Sequence, residues 1–141
     1  MARVGLISCV SKKRSTASRA EDLYDSALFS KSRRFVKQRC DRWLILSAKY
    51  GLIEPEQVIE PYEDTLNTKS PPERLKWANR VWPARQSHVA PGDEITILAG
   101  ERYREHLVPR LAAIGCTVHV PLKGLGIGKQ LQWLSENLSH P

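Results

Sequence analysis

The chain reads as a single α/β domain, an open, mostly parallel four-stranded sheet with helices on both faces. Three observations predict it. Four short apolar runs alternate with segments of helical spacing. Each run ends in a polar or glycine-rich cluster of the kind that lies at the carboxyl edge of parallel strands. The length, 141 residues, supports one substantial core but would leave two domains marginal.

Residues 4–8 form the first apolar run. From 19 to 39 apolar residues recur at Leu23, Ala27, Leu28, Phe35 and Val36, a helical stripe. Residues 43–46 are the second strand. Residues 49–70 then form a long irregular excursion, because Pro55 and Pro61 exclude a continuous helix; loops of this length in compact domains are usually functional. Pro71-Pro72 starts a helix whose Leu75, Ala78, Val81 and Trp82 face inward until Pro83 ends or kinks it. Pro91-Gly92-Asp93 turns the chain into a third strand, 95–98. A helix follows over 101–114, stopped by Gly115. Residues 117–120 make the last strand and 129–138 the last helix, with Leu131, Leu134 and Leu138 inward. The order is βαβαβαβα, Rossmann-like, with right-handed crossovers. Trp43, Trp77, Trp82 and Trp133 fall inside apolar patterns and read as core.

The net charge is +7. Residues 1–42 carry 11 Lys or Arg against 4 Asp or Glu, while the remainder balances at 11 against 11. A localised basic surface favours phosphate-bearing partners, and Lys31, Arg33, Arg34, Lys37 and Arg39 read equally as a solvated helix face. No apolar run approaches a membrane span and the N-terminus lacks the apolar core of a signal peptide, so a soluble, cytoplasmic protein is expected. Cys9, Cys40 and Cys116 are odd in number and far apart, which predicts free thiols. His88, His106, His119 and His140 lack the mutual spacing of metal ligands, and neither a metal nor a cofactor is expected.

The four clusters converge on one site at the sheet edge. In the first, Ser11, Lys12 and Lys13 stand between a strand and a helix and suit a phosphate; Cys9 beside them is a candidate nucleophile or a packed thiol. In the second, Ser47, Lys49 and Tyr50 follow a buried strand directly, and Glu60, Tyr62 and Asp64 lie a short distance on. Carboxylates near a bound base or sugar act as general bases or stabilise an oxocarbenium-like centre. Gly100, Arg102 and Tyr103 open the helix after the third strand, where Glu101 suits the dipole. Gly124, Gly126 and Gly128, with Lys129 and Gln130, present amides and a cation at a helix start, without forming a Walker A loop or a dinucleotide fingerprint.

The motifs that carry these residues also carry a resemblance. Cys9-x-Ser-Lys-Lys, Leu23-Tyr-Asp-Ser-Ala-Leu-Phe29, Trp43-Leu-Ile-Leu-Ser-Ala-Lys-Tyr-Gly-Leu52, Glu60-Pro-Tyr-Glu-Asp-Thr-Leu66, Leu98-Ala-Gly-Glu-Arg-Tyr103 and the stretch 121–131 resemble a bacterial family of unknown function. Its members are often labelled as similar to the peroxide-stress protein YaaA. The second motif adds Tyr24 and Ser26 to the candidate binding residues. A fainter similarity reaches the central domain of archaeosine synthase, a relative of the tRNA-guanine transglycosylases. Cys9 and Lys12 match its Cys-x-x-Lys motif, Ser47, Gly51 and Leu52 its second motif, and Tyr62 its third. Ser8 stands where that domain has proline. The similarity implies a bias toward nucleobases and nucleotides.

The function expected is therefore a nucleotide- or modified-nucleobase-binding enzyme that cleaves or exchanges an N-glycosidic bond. Glu60 or Asp64 would assist at the sugar carbon, Lys49 would neutralise the leaving base, Tyr50 or Tyr62 would stack on it, and Lys12, Lys13 and the 124–129 turn would hold phosphate. The alternative is a non-catalytic DNA- or RNA-binding protein, similar to YaaA, working through basic residues 12–39.

Overall fold

The computed structural model describes residues 1–10 and 13–138. In chain order its elements are β1 (Arg3–Ser8), β2 (Ser18–Arg19), α1 (Ala20–Leu23), α2 (Ala27–Arg39), β3 (Arg42–Ser47), β4 (Gly51–Ile53), β5 (Val58–Ile59), α3 (Pro71–Ala84), β6 (Glu94–Leu98), α4 (Glu101–Arg104), α5 (Val108–Ala113), β7 (Thr117–His119) and α6 (Ile127–Asn137). The four expected strands are present and parallel, in the order β3-β1-β6-β7. A fifth strand, β4, folds back antiparallel along β3. Gly51 makes that reversal with φ of +77°, a conformation L side chains resist.

The apolar run of β1 is continuous because the strand is central and covered on both faces; Val4 and Ile7 are fully buried. Ile7 is in register with Ile45 on one side and Leu98 on the other. One face of the sheet meets α2. Gly5 lies so close to it that a Cβ there would come within 2.6 Å of the Val36 Cγ1. The other face meets α3 and α5, where Leu6 and Leu46 line an apolar seam with Val81 and Leu111. The last helix, α6, packs beside α2: the rings of Trp133 and Phe35 are 5.2 Å apart and Lys31 donates to Ser135 Oγ at 2.7 Å.

Three helix boundaries differ from the sequence reading. The expected helix over 19–39 is two, because Ser26 accepts from the Phe29 amide at 3.0 Å and caps a new helix. The expected helix over 101–114 is also two; Pro109, which has no amide proton, sits in the first turn of α5. The last helix begins at Ile127, so Gly128 and Lys129 lie inside its first turn. The 49–70 excursion holds β4, β5 and a 3-10 turn at Leu66–Thr68, and β5 pairs antiparallel with β2. Leu75 points outward while Trp77, Ala78 and Val81 carry the buried face of α3. Trp43 and Trp77 are core; Trp82 and Trp133 are half-buried against it. No helix among the described residues is long and apolar enough to cross a membrane.

The strand order reverses at β1. The chain leaves it for β3 on one side and later passes to β6 on the other, so the connections part above the carboxyl ends of β1 and β6 and leave a crevice there. The opposite edge holds a depression of about 280 Å³ bordered by Met1, Ala2, Arg42, His88 and Asp93. Asp93, buried, accepts from the amides of Ala2 and Ala90, each at 2.9 Å, and these bonds hold its carboxyl below the usual carboxylate range.

Replacing Gly5 with alanine should destabilise the protein by about 1–3 kcal/mol, because the methyl group has no room against Val36. The second change Val36→Ala, made in the same chain, should recover part of that loss in urea unfolding. A Gly5→Ala midpoint equal to that of the parent would contradict the close approach.

Candidate functional site

Ser8 ends β1, and the Cys9 amide still donates to the Leu46 carbonyl at 2.9 Å, so the strand's alignment carries the cysteine to the crevice. The Cys9 thiol is buried, 3.4 Å from the Tyr103 hydroxyl. Tyr103 comes from α4, directly after β6, and its hydroxyl also accepts from the Leu66 amide at 3.3 Å and stands 3.4 Å from Thr65 Oγ1. One tyrosine thus ties the ends of β1 and β6 to the 64–68 turn.

Two cavities meet at this point. The smaller, about 370 Å³, is lined by Cys9, Asp64, Thr65, Asn67 and Tyr103 among others. The larger, about 410 Å³, lies toward α2 and α6 and includes Ser32, Arg104, Lys123, Gly124 and Gln130. Ser8, Val10, Leu28 and Gly100 border both. Asp64 also edges a third depression of about 400 Å³ with Lys69, Lys76 and Arg80, and its carboxylate pairs with Lys69 at 3.0 Å.

Beside Cys9 lies a buried chain of hydroxyls. Ser47 Oγ donates to the Tyr62 hydroxyl at 2.7 Å, the Tyr24 and Tyr62 hydroxyls are 2.6 Å apart, and the Tyr50 amide donates to Ser47 Oγ at 3.1 Å. Burial pushes the Tyr24, Tyr62 and Tyr103 hydroxyls well above the ordinary tyrosine value, so all three stay neutral. Lys13 Nζ lies 4.4 Å from the centre of the Tyr62 ring. Burial lowers its pKa, opposed by the nearby Cys9, Glu63 and Asp64.

The structure brings together some of the predicted residues and separates others. Cys9, Asp64, Gly100, Tyr103, Gly124 and Gln130 line the paired cavities. Glu60 does not: it lies just past β5 and is exposed, directly after the buried Ile59. Its carbonyl accepts from the Tyr50 hydroxyl at 3.4 Å. Lys49 is exposed, with Nζ 5.3 Å from the Tyr50 ring centre. Tyr62 is enclosed edge-on by Tyr24 and Tyr50, which fills the place a stacked base would need. Ser26 is occupied as a cap, and Arg102 reaches the Asn67 carbonyl at 3.1 Å. Gly124 needs its φ of +79° for the turn, whereas Gly126 is the N-cap of α6 and Gly128 and Lys129 are exposed outside the cavities. Ser11, Lys12 and His140 lie outside the described residues.

The sequence reading missed Ser8, Ser32, Thr65, Asn67, Arg104 and Lys123. Thr65 belongs to the 60–66 motif, Lys123 to the 121–131 stretch, and Arg104 follows Gly100 by one helical turn, so those three carried a signal; Ser32 carried none. The basic helix is largely engaged within the fold. Arg33 reaches the Glu21 carbonyl and Asp22, Lys37 the Glu21 carboxylate at 3.0 Å, Arg39 the Asn137 carbonyl at 2.7 Å, and Lys31 Ser135. Cys9, Cys40 and Cys116 are free thiols; burial raises the Cys40 thiol to about 11.

Fold and crevice define an α/β protein with a strand-end site. The chain belongs to a family of unknown function (DUF6884), whose model matches residues 4–136 and so spans every strand that builds the crevice. It is 35% identical over 124 residues to the uncharacterized protein YfjM of Bacillus subtilis (strain 168), a match covering 83% of this chain and 78% of that protein.

Because the folded state holds the Tyr24 and Tyr62 protons above the ordinary value of 10.0, the unfolded chain loses them first as pH rises. Stability from this source is complete below about pH 10 and falls above it. Tyr24→Phe should flatten that fall in urea unfolding between about pH 9 and 12. A slope identical to the parent's would contradict the assignment.

Proposed function

We propose that this protein is a small enzyme that binds a nucleotide or modified nucleobase in the crevice between the ends of β1 and β6 and acts at its N-glycosidic bond. The observation that carries the reading is the pair of cavities, about 370 and 410 Å³, meeting at Ser8 and Gly100. Each is within the range of small-molecule sites, and the pair holds a thiol, a carboxylate and a neutral phenol at a topological switch point. The similarity of the Cys9, Ser47 and Tyr62 motifs to the central domain of archaeosine synthase supports the same ligand class.

Asp64 is the carboxylate suited to the sugar. It borders the smaller cavity, whereas Glu60 is outside it. In hydrolysis, water oxygen bonds to the sugar C1′ as the bond from C1′ to the base nitrogen breaks. Asp64 takes the water proton and the departing nitrogen ends with it. Tyr103, kept neutral by burial, serves as a hydrogen-bond donor rather than a base. Cys9 stands beside it on the cavity wall.

The direct test is chromatography of ribo- and deoxynucleotides, modified deazaguanines and short DNA and RNA after incubation with the protein. Free base should appear from at least one compound. Asp64→Asn should lower its release by about 100-fold or more, with Glu60→Gln within severalfold of the parent. No release from the panel, or equal loss in both variants, would overturn the reading. Salt-sensitive binding of DNA or RNA without release, weakened by neutralising Arg33, Arg34 and Lys37, would instead favour the nucleic-acid-binding alternative.

A further inference from the structure

We infer that the larger cavity is an anion subsite that takes the 5′-phosphate of a mononucleotide, leaving the base and its glycosidic bond to the smaller one. The inference rests on the nucleotide reading and narrows it to nucleoside monophosphates. Four features converge on it. Ser32 of α2 is only 4% exposed, lines this cavity, and its hydroxyl makes no hydrogen bond among the described residues. Its Oγ is not fully enclosed, since the one enclosed and unpartnered side-chain atom among the described residues is Arg85 Nε, so it opens onto the cavity and is free to bond a ligand atom.

The second feature is α6, eleven residues long, which opens at Gly126 in extended conformation with no side-chain cap and no acidic residue in its first turn. Ile127, its first residue, lines the cavity, so that amide and the positive end of the dipole are left for an anion there. Third, two cations line the same space. Lys123 is exposed and makes no ion pair among the described residues, while Arg104 is steadied by the Ala99 carbonyl at 3.2 Å. Fourth, the loop that carries Lys123 is fixed in place: Gln130 Nε2 donates to the Leu125 carbonyl at 2.8 Å. Glu101, the carboxylate on this lining, is solvent-exposed at the start of α4 and suits ribose hydroxyls. Because Ser8 and Gly100 border both cavities, the ribose would lie across that pair, with phosphate on the α6 side and base toward Asp64 and Tyr103.

Calorimetric titration with the four ribonucleoside 5′-monophosphates, the matching nucleosides and inorganic phosphate tests this. At least one monophosphate should bind about 10-fold or more tightly than its nucleoside, and inorganic phosphate should compete with it. Ser32→Ala and Lys123→Gln should each weaken the monophosphate about 5- to 20-fold while leaving nucleoside affinity unchanged. Arg34→Gln, an exposed charge on the same helix as Ser32, should change it less than about 2-fold. Equal affinity for nucleotide and nucleoside, no binding of either phosphate compound, or indifference to both variants would overturn the inference. Base release from nucleosides without preference for phosphate would sink the subsite and leave the glycosidic reading standing. Phosphate preference without base release would do the reverse.

Discussion

The close approach of α2 to β1 at Gly5 is the constraint on which the rest of the structure depends. With hydrogen in place of a side chain, the helix settles onto the central strand at the level of Val36. Its N-terminal half then overhangs the carboxyl end of the sheet, where Leu28, Phe29 and Ser32 become one wall of the larger cavity. The same strand, held by β3 on one side and β6 on the other, delivers Ser8 and Cys9 to the point where the connections part. Packing of an apolar core and placement of a polar site are therefore consequences of one contact.

The two edges of the sheet treat their polar groups differently. At the amino edge Asp93 collects two amides beside a depression of about 280 Å³. At the carboxyl edge the hydroxyls of Ser47, Tyr24 and Tyr62 satisfy one another, and Tyr103 spans Cys9, Thr65 and Leu66. Ser32 makes no such bond and faces a cavity, while the one fully enclosed side-chain atom without a partner among the described residues is Arg85 Nε. Charge follows a related division. The excess of basic residues lies in the first 42, yet Lys31, Arg33, Lys37 and Arg39 bind α1 and α6. Much of the positive surface read from the sequence thus joins helices together, while Lys123 and Arg104, outside that region, line the crevice.

The strands were legible because central parallel strands are buried on both faces and read as unbroken apolar runs. Their polar termini pointed to the crevice for the same reason. Helix boundaries were less legible where a local rule competed with periodicity: Ser26 capped a new helix inside an apparently continuous stripe, and Pro109 divided another. The strand β4 is only three residues long and begins at glycine, too short for any periodic signal. Choosing between Glu60 and Asp64 required the course of the chain after β5, which depends on its pairing with β2 rather than on its own residues. Ser32 meets Lys123, which stands in the 121–131 stretch, only through the packing of α2 against α6, and nothing local distinguishes Ser32.

Ligand binding in the crevice between the ends of β1 and β6 is the proposal on which the functional reading turns. It is tested most directly by amide chemical-shift mapping of isotope-labelled protein as 5′-nucleotides are added. The largest changes should fall at Cys9, Val10, Gly100, Lys123, Gly124 and the first turn of α6. Changes confined to the outward side of α2, around Arg34 and Lys37, would contradict it and place binding on the basic helix instead.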